Sequence, residues 1–288
     1  MKKPTILVTG KNGQLGSELL GIHMSYPDFT FVFLDRESLD LSSETAIDAA
    51  FEKYRPAFFI NCAAYTAVDK AEEEQNATAA INTTAVGIIA RLSARFDTTL
   101  IQLSTDYVFD GQGTRPYLPA DPTDPINFYG LSKQKGEEKA ITQNPKSVVI
   151  RTSWVYSSYG KNFVKTMLRL MDERPEISVV DDQIGSPTYA KDLAVAIMAI
   201  VEAKKPHYGI YHFSNDGVIT WYDFAKEIRD LAGLSCKINQ VPSSAFPTPA
   251  KRPAYSVLDK TSLQKDYGIK LRNWKLALRE CLGYLERL

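Results

Sequence analysis

Through the first 150 residues, short runs rich in β-branched and aromatic residues alternate with longer stretches of helical period, the rhythm of βαβ units. The runs predict strands over Thr5 to Thr9, Phe29 to Leu34, Ala57 to Cys62, Thr99 to Ser104 and Ser147 to Thr152. Several are continuously apolar, as in parallel strands covered on both faces. Between them the spacing predicts helices over Gly13 to Met24, Glu44 to Tyr54, Thr78 to Arg95 and Tyr129 to Thr142, with Ser42 or Ser43 placed to cap the second. From about residue 154 the pattern loosens. Helices are expected at Lys161 to Met171, Tyr189 to Glu202, Trp221 to Ala232 and Asn273 to Leu285, and short strands at Ile177 to Val180 and Ile210 to Phe213. Pro242, Pro247, Pro249 and Pro253 break the stretch before the last helix. The division expected is therefore 1–153, a dinucleotide-binding domain, and 154–288, mainly a substrate-binding region whose chain crosses back to the first.

The first strand runs into Thr9-Gly10-Lys11-Asn12-Gly13-Gln14-Leu15-Gly16. Glycines where a strand ends and a helix begins suit a dinucleotide: Gly10 for the tight turn, Gly13 for approach to a pyrophosphate, Gly16 for packing of helix on sheet. The fold class expected is α/β, a Rossmann-type doubly wound parallel sheet with a smaller C-terminal region. Its helix amino terminus favours the anion, beside Gln14 and Leu15. Asp35 ends the second strand, where a carboxylate meets the ribose hydroxyls of NADH, and Arg36 follows, suited to the extra phosphate of NADPH. The pair leaves the choice open. Asp40-Leu41 either flanks the adenine or starts a helix. After the third strand, Ala63-Ala64-Tyr65-Thr66 lets a dinucleotide lie along the backbone, and Val68-Asp69 faces the reacting end unless Asp69 only caps the next segment.

The fourth strand ends in Ser104-Thr105-Asp106-Tyr107, and Tyr129-Gly130-Leu131-Ser132-Lys133 follows on a predicted helix. Four residues bring the phenol and the ammonium to one helix face. If that helix lies beside the fourth strand, Thr105, Tyr129 and Lys133 converge. Such a convergence suits carbonyl reduction, in which hydride adds to carbon, the phenol donates a proton to oxygen, and Lys133 lowers the cost of the phenolate and can also hold the ribose.

Bulk properties exclude other classes. Acidic and basic residues balance at 34 each, which leaves no field for nucleic acid or a membrane surface. No apolar stretch approaches the roughly 20 residues of a bilayer span. Ile6-Leu7-Val8 is too short for a signal peptide, so a cytoplasmic location is expected. Cys62, Cys236 and Cys281 and His23, His207 and His212 show no metal-ligand spacing, and His212 reads as a core histidine.

Taken together, Thr9 to Gly16, Asn61-Cys62-Ala63-Ala64, Ser104 to Tyr107 and Tyr129 to Lys133 resemble the extended short-chain dehydrogenase/reductase family. Arg151 to Tyr156, Asp182 to Thr188 and Arg252-Pro253 are similar to its dTDP-4-dehydrorhamnose reductase branch. The resemblance implies reduction of a 4-keto deoxysugar carried on dTDP by NADPH or NADH. Tyr129 would be the proton donor, Lys133 its partner and Thr105 a polarising hydroxyl. Thr105, Asp106 and Trp154 would contact the sugar nucleotide, with Val68, Asp69, Tyr107 and Arg252 around them. Some members dimerise through magnesium held by glutamates. Glu18 matches one such position but Lys191 stands at another, so no metal and at most a weak homodimer, or a monomer, is expected. A non-catalytic dinucleotide-binding regulatory subunit and another nucleotide-sugar epimerase or reductase are the alternatives.

Overall fold

The structure, a computed structural model, describes residues 3–285. Six parallel strands form its main sheet: β1 (Thr5–Thr9), β2 (Thr30–Leu34), β3 (Phe58–Asn61), β4 (Thr99–Thr105), β5 (Ser147–Thr152) and, much later in the chain, Gly209–Phe213. Their spatial order is β2, β1, β3, β4, β5 and then the late strand. The order reverses between β2 and β3 on either side of β1, the place where an open parallel sheet holds its ligand beyond the strand ends.

Helices α1 (Gln14–Ile22), α2 (Glu44–Tyr54), α3 (Val68–Ala71), α4 (Gln75–Ala79), α5 (Ala85–Arg95) and α6 (Phe128–Gln143) fill this half. Ser43 caps α2 by accepting the Ala46 N–H, and Asn127 caps α6 by accepting that of Gly130. One predicted helix differs. The stretch expected to start at Thr78 begins at Gln75 and widens into a π turn over Ala80–Thr84. Asn82 lies in that turn with its amide spent on the backbone of Tyr65 and the hydroxyl of Ser132.

The remaining elements are β6 (Val155–Tyr156), α7 (Phe163–Glu173), β7 (Glu176–Val180), β8 (Ile184–Gly185), β9 (Thr188–Tyr189), α8 (Ala190–Val201), β10 (Gly209–Phe213), β11 (Ile219–Thr220), α9 (Trp221–Leu231), β12 (Lys237–Val241), α10 (Thr261–Tyr267) and α11 (Trp274–Leu285). β10 is the late sixth strand and runs parallel to β5. One face of the sheet is covered by α1, α8 and α10 and the other by α2, α5 and α6. A separate core lies among α7, α9, α11, β7 and β12, around Tyr156, Tyr189 and Phe224. β12 and α10 had no apolar run long enough to show in the sequence pattern.

Three contacts seat α6. Gly130 lies so close to Tyr107 that a Cβ there would stand 2.1 Å from its carbonyl oxygen, and one on Gly136 would stand 2.2 Å from that of Asn82. Glu137 receives Arg151 of β5 at 2.7 Å, with both side chains at most 4% exposed. Arg151 also lies over the Phe109 ring, next to the fully buried His212. Breaking this pair leaves an unpaired charge inside the protein. Glu137→Gln is therefore expected to lower stability by about 3–5 kcal/mol in urea unfolding, while Glu137→Leu with Arg151→Met recovers most of that loss.

Candidate active site

A cleft of about 860 Å³ opens at the carboxyl ends of β1, β3 and β4. Gly10 adopts φ +69°, and a Cβ there would stand 2.8 Å from the Ala63 nitrogen. Gly10, Gly13, Gln14 and Leu15 form one wall, Asp35, Arg36, Asp40 and Leu41 a second, Ala63, Ala64, Tyr65 and Thr66 a third, with Tyr129 and Lys133 at one end. Gly16 lies beneath the turn, not on the wall, where a Cβ would stand 2.2 Å from the Gly10 carbonyl oxygen. The Gln14 amide ties the turn to the second half, donating to Val155 O at 3.2 Å and accepting from Asn162 at 3.0 Å.

Asp35 is not alone. Its carboxylate pairs with Lys11 Nζ at 2.8 Å and accepts the Ser38 hydroxyl at 2.6 Å, which holds it well below the usual carboxylate range. Lys11 was passed over in the sequence because it sits inside the glycine turn. Asp40 accepts both the N–H and the hydroxyl of Ser42, so it shapes the turn before α2 as well as lining the cleft.

The reacting end is fixed by buried polar side chains. Thr9 donates to Asn61 at 2.6 Å, Asn61 to Gln102 at 2.8 Å, and Gln102 to the Leu103 carbonyl at 2.8 Å. That carbonyl also accepts Lys133 Nζ at 2.5 Å. Burial pulls the Lys133 ammonium down to about 8, with the charge of Glu137 acting against it. The Tyr129 phenol is pushed up to about 12, first by burial and then by the negative charge of Asp106, and only the neighbouring Thr105 hydroxyl works the other way. Thr105 thus lies beside Tyr129. Lys133 donates one of its three N–H groups to the Leu103 carbonyl, which fixes the ammonium one helical turn from the phenol and leaves two donors free of that bond.

Thr105, Asp106, Tyr107, Val68, Asp69, Trp154 and Arg252 do not line the cleft wall; they stand beyond Tyr129. Tyr107 meets Tyr129 edge to face at 5.9 Å. Asp69 pairs with Arg252 at 2.8 Å and accepts the Ala250 N–H, so it clasps the 248–252 segment; the simple capping alternative had missed this partner. Val68 opens α3, just before Asp69. Trp154 has φ +48° and stacks on Trp221 at 3.7 Å. Its ring passes over Gly185, where a Cβ would stand 2.7 Å from the indole and 3.0 Å from the Ser256 hydroxyl. Ser256 in turn lies beside Asp106, which brings Trp154 to the same end of the cleft.

Glu18 is buried against Ser157, with burial raising its carboxyl, and Lys191 donates to Glu280 at 2.8 Å and to Tyr284. Among the described residues no group of three or more His, Cys, Asp or Glu side chains is placed to hold a metal ion. Nor is any of their helices long and apolar enough to cross a membrane. Cys62 lines the cleft, and burial raises its thiol.

A glycine turn, two acidic corners and a tyrosine-lysine helix face in one cleft match a known pattern: the family described as RmlD substrate binding domain, over residues 4–287. The chain belongs to that family. A dTDP-4-dehydrorhamnose reductase of Aggregatibacter actinomycetemcomitans is 39% identical over 98% of this chain and 99% of its own. The spore coat polysaccharide biosynthesis protein SpsK of Bacillus subtilis (strain 168) is 41% identical over 96% of each. A solved dTDP-4-dehydrorhamnose reductase from Bacillus anthracis str. Ames, in complex with NADP, superposes with a TM-score of 0.94 at 37% identity, covering 98% of this chain and 100% of that one.

The sequence reading also missed Asn82, which is one of several polar residues in that helical stretch and carries no distinguishing signal. Asn82→Ala strands the N–H and carbonyl of Tyr65 beside the cleft wall. It is expected to cost about 1–3 kcal/mol in denaturant unfolding and to weaken binding of nicotinamide dinucleotides followed by fluorescence.

Proposed function

We propose that this chain reduces dTDP-4-dehydro-L-rhamnose (dTDP-4-keto-6-deoxy-L-mannose) to dTDP-L-rhamnose with NADPH or NADH, without a metal. The observation that carries the reading is that Tyr129 and Lys133, one turn apart on the same helix, stand together at the end of a cleft walled by a glycine turn, with the Thr105 hydroxyl beside the phenol. The cleft suits a dinucleotide. Close packing at Gly10 and Gly16 leaves no room for a side chain and brings bare backbone to the wall, and α1 starts there with its N–H groups open to an anion.

Gly10, Gly13, Gln14 and Leu15 would hold the pyrophosphate, with Gly16 packing the helix below. Asp35, Arg36, Asp40 and Leu41 would hold the adenosine half, Ala63 to Thr66 the backbone side, and Tyr129 and Lys133 the nicotinamide ribose. A bound reduced nicotinamide supplies the hydride. The chain supplies position and a proton. Tyr129 keeps its proton at neutral pH and can give it to the oxygen that gains charge as the ketone is reduced. Thr105 and Asp106 would contact the sugar, Trp154 would offer it an aromatic edge, and Val68, Asp69, Tyr107 and Arg252 would border the nucleotide.

On this reading residues 1–153 bind dinucleotide and 154–288 serve mainly the substrate, although β10 lies in the main sheet. Action in the cytoplasm as a monomer or weak homodimer completes the proposal. The pairing of Lys191 with Glu280 supports it, since a cation stands where a metal ligand would be.

The test is oxidation of NADPH and NADH with the 4-keto sugar nucleotide generated in situ. Wild-type turnover, lowered about 10²–10⁴-fold in Tyr129→Phe, is the expected result. Binding of dinucleotide without oxidation would instead favour a regulatory subunit.

A further inference from the structure

Asp106 is a carboxyl group without a cation. It is 2% exposed, and its Oδ2 is shut off from solvent with no hydrogen-bond partner. Oδ1 accepts the Thr105 hydroxyl at 3.0 Å, and the Ser256 hydroxyl lies beside the same carboxyl group. Thr105 Oγ1 also accepts the Tyr107 N–H at 3.1 Å and meets the Tyr129 phenol. A hydroxyl carries one proton. While Asp106 is ionised, that proton points at Asp106, and Thr105 offers the phenol only a lone pair. Once Asp106 is protonated, its O–H donates to Thr105 and the threonine proton turns toward Tyr129.

We propose that Asp106 is a proton store for the reduction, returning a proton to Tyr129 through the Thr105 hydroxyl. The proposal rests on the reductase reading given above. As the ketone carbon takes hydride, the sugar is reduced and the dinucleotide oxidised; the Tyr129 O–H bond breaks and its proton forms the new sugar O–H. The phenolate then takes the Thr105 proton, Thr105 takes that of Asp106, and Asp106 is left as carboxylate until water recharges it after product leaves. Burial without a compensating cation favours the neutral acid that such a store needs. Its carboxyl is pushed up to about 6 by burial, with Ser256 and Thr105 acting against the rise. The groups facing it are Tyr107 and Tyr129, with Arg252 and Asp69 beyond Tyr107.

The first measurement is difference infrared spectroscopy of the ligand-free protein. A carboxylic-acid carbonyl band that disappears as pH rises, that is absent in Asp106→Asn, and whose midpoint moves upward in Ser256→Ala is the expected result. In turnover, Asp106→Asn should lower kcat by at least about tenfold, more than it raises KM, and should remove the fall in kcat that the wild type shows as pH rises through the carboxyl range. A purely substrate-binding role predicts the reverse, a raised KM at unchanged kcat, and would overturn the proposal. So would the absence of the Asp106 band from the wild type and Ser256→Ala alike. A wild type that shows the band but reduces no 4-keto sugar supports the protonated Asp106 and counts against the reductase reading.

Discussion

A buried line of hydrogen bonds from Thr9 through Asn61 and Gln102 to the Leu103 carbonyl and Lys133 is what the site is built on. It crosses β1, β3 and β4 at their carboxyl ends, next to the reversal of strand order. Each member is almost fully buried, so each is held by the cost of leaving a polar group unpaired more than by the strength of its bond. The line therefore couples two motifs more than a hundred residues apart. Movement of the glycine turn relative to β4 would unpair Asn61 or Gln102, and movement of Lys133 would leave a buried ammonium with no acceptor.

Sheet geometry alone does not bring Tyr129 to that line; the seat of α6 does. Two glycines allow the helix to touch the Tyr107 and Asn82 backbones, and Glu137, one turn beyond Lys133, fastens it to Arg151. Residues 129, 133 and 137 thus form one face that carries a phenol, an ammonium and an anchor. A buried ion pair contributes little net stability compared with apolar packing, so its value here is better described as register. A slip of α6 by one residue would take Glu137 away from Arg151 and Tyr129 away from Thr105 together.

Most of the sheet was legible because parallel strands covered on both faces must be apolar throughout, and the glycine turn had to follow the first of them. β10 was visible as a strand, but its partner was not, since nothing in Gly209–Phe213 specifies β5 as its neighbour. β12 and α10 were invisible for another reason: half-exposed, polar and short, they are held by contacts with β7 and β10. Around the cleft, residues whose type announces chemistry stood out in the sequence, and those that act on other residues did not. Lys11, Asn82, Glu137 and Ser256 are ordinary polar residues by sequence. Only the fold shows that they hold Asp35, Tyr65, Arg151 and Asp106.

The same distinction explains why the reacting end needs the late chain. Asn127 caps α6 with its side-chain oxygen and with its nitrogen donates to the Lys251 carbonyl, so one amide fixes both the start of the tyrosine helix and the 248–252 segment. Arg252 then reaches Asp69 at the end of the β3 loop, and Ser256, held beside Ile184, reaches Asp106. The strap thus touches α6, the β3 loop and the end of β4, the three elements that surround Tyr129. Pro249 and Pro253 interrupt any regular helix or strand in this segment, and that stiffness is an advantage for a wall made of single contacts. The cleft itself draws on both halves, since Val155, Gly160, Lys161 and Leu193 line it beside the glycine turn, and the surroundings of Asp106 are completed by Ser256 from the late chain.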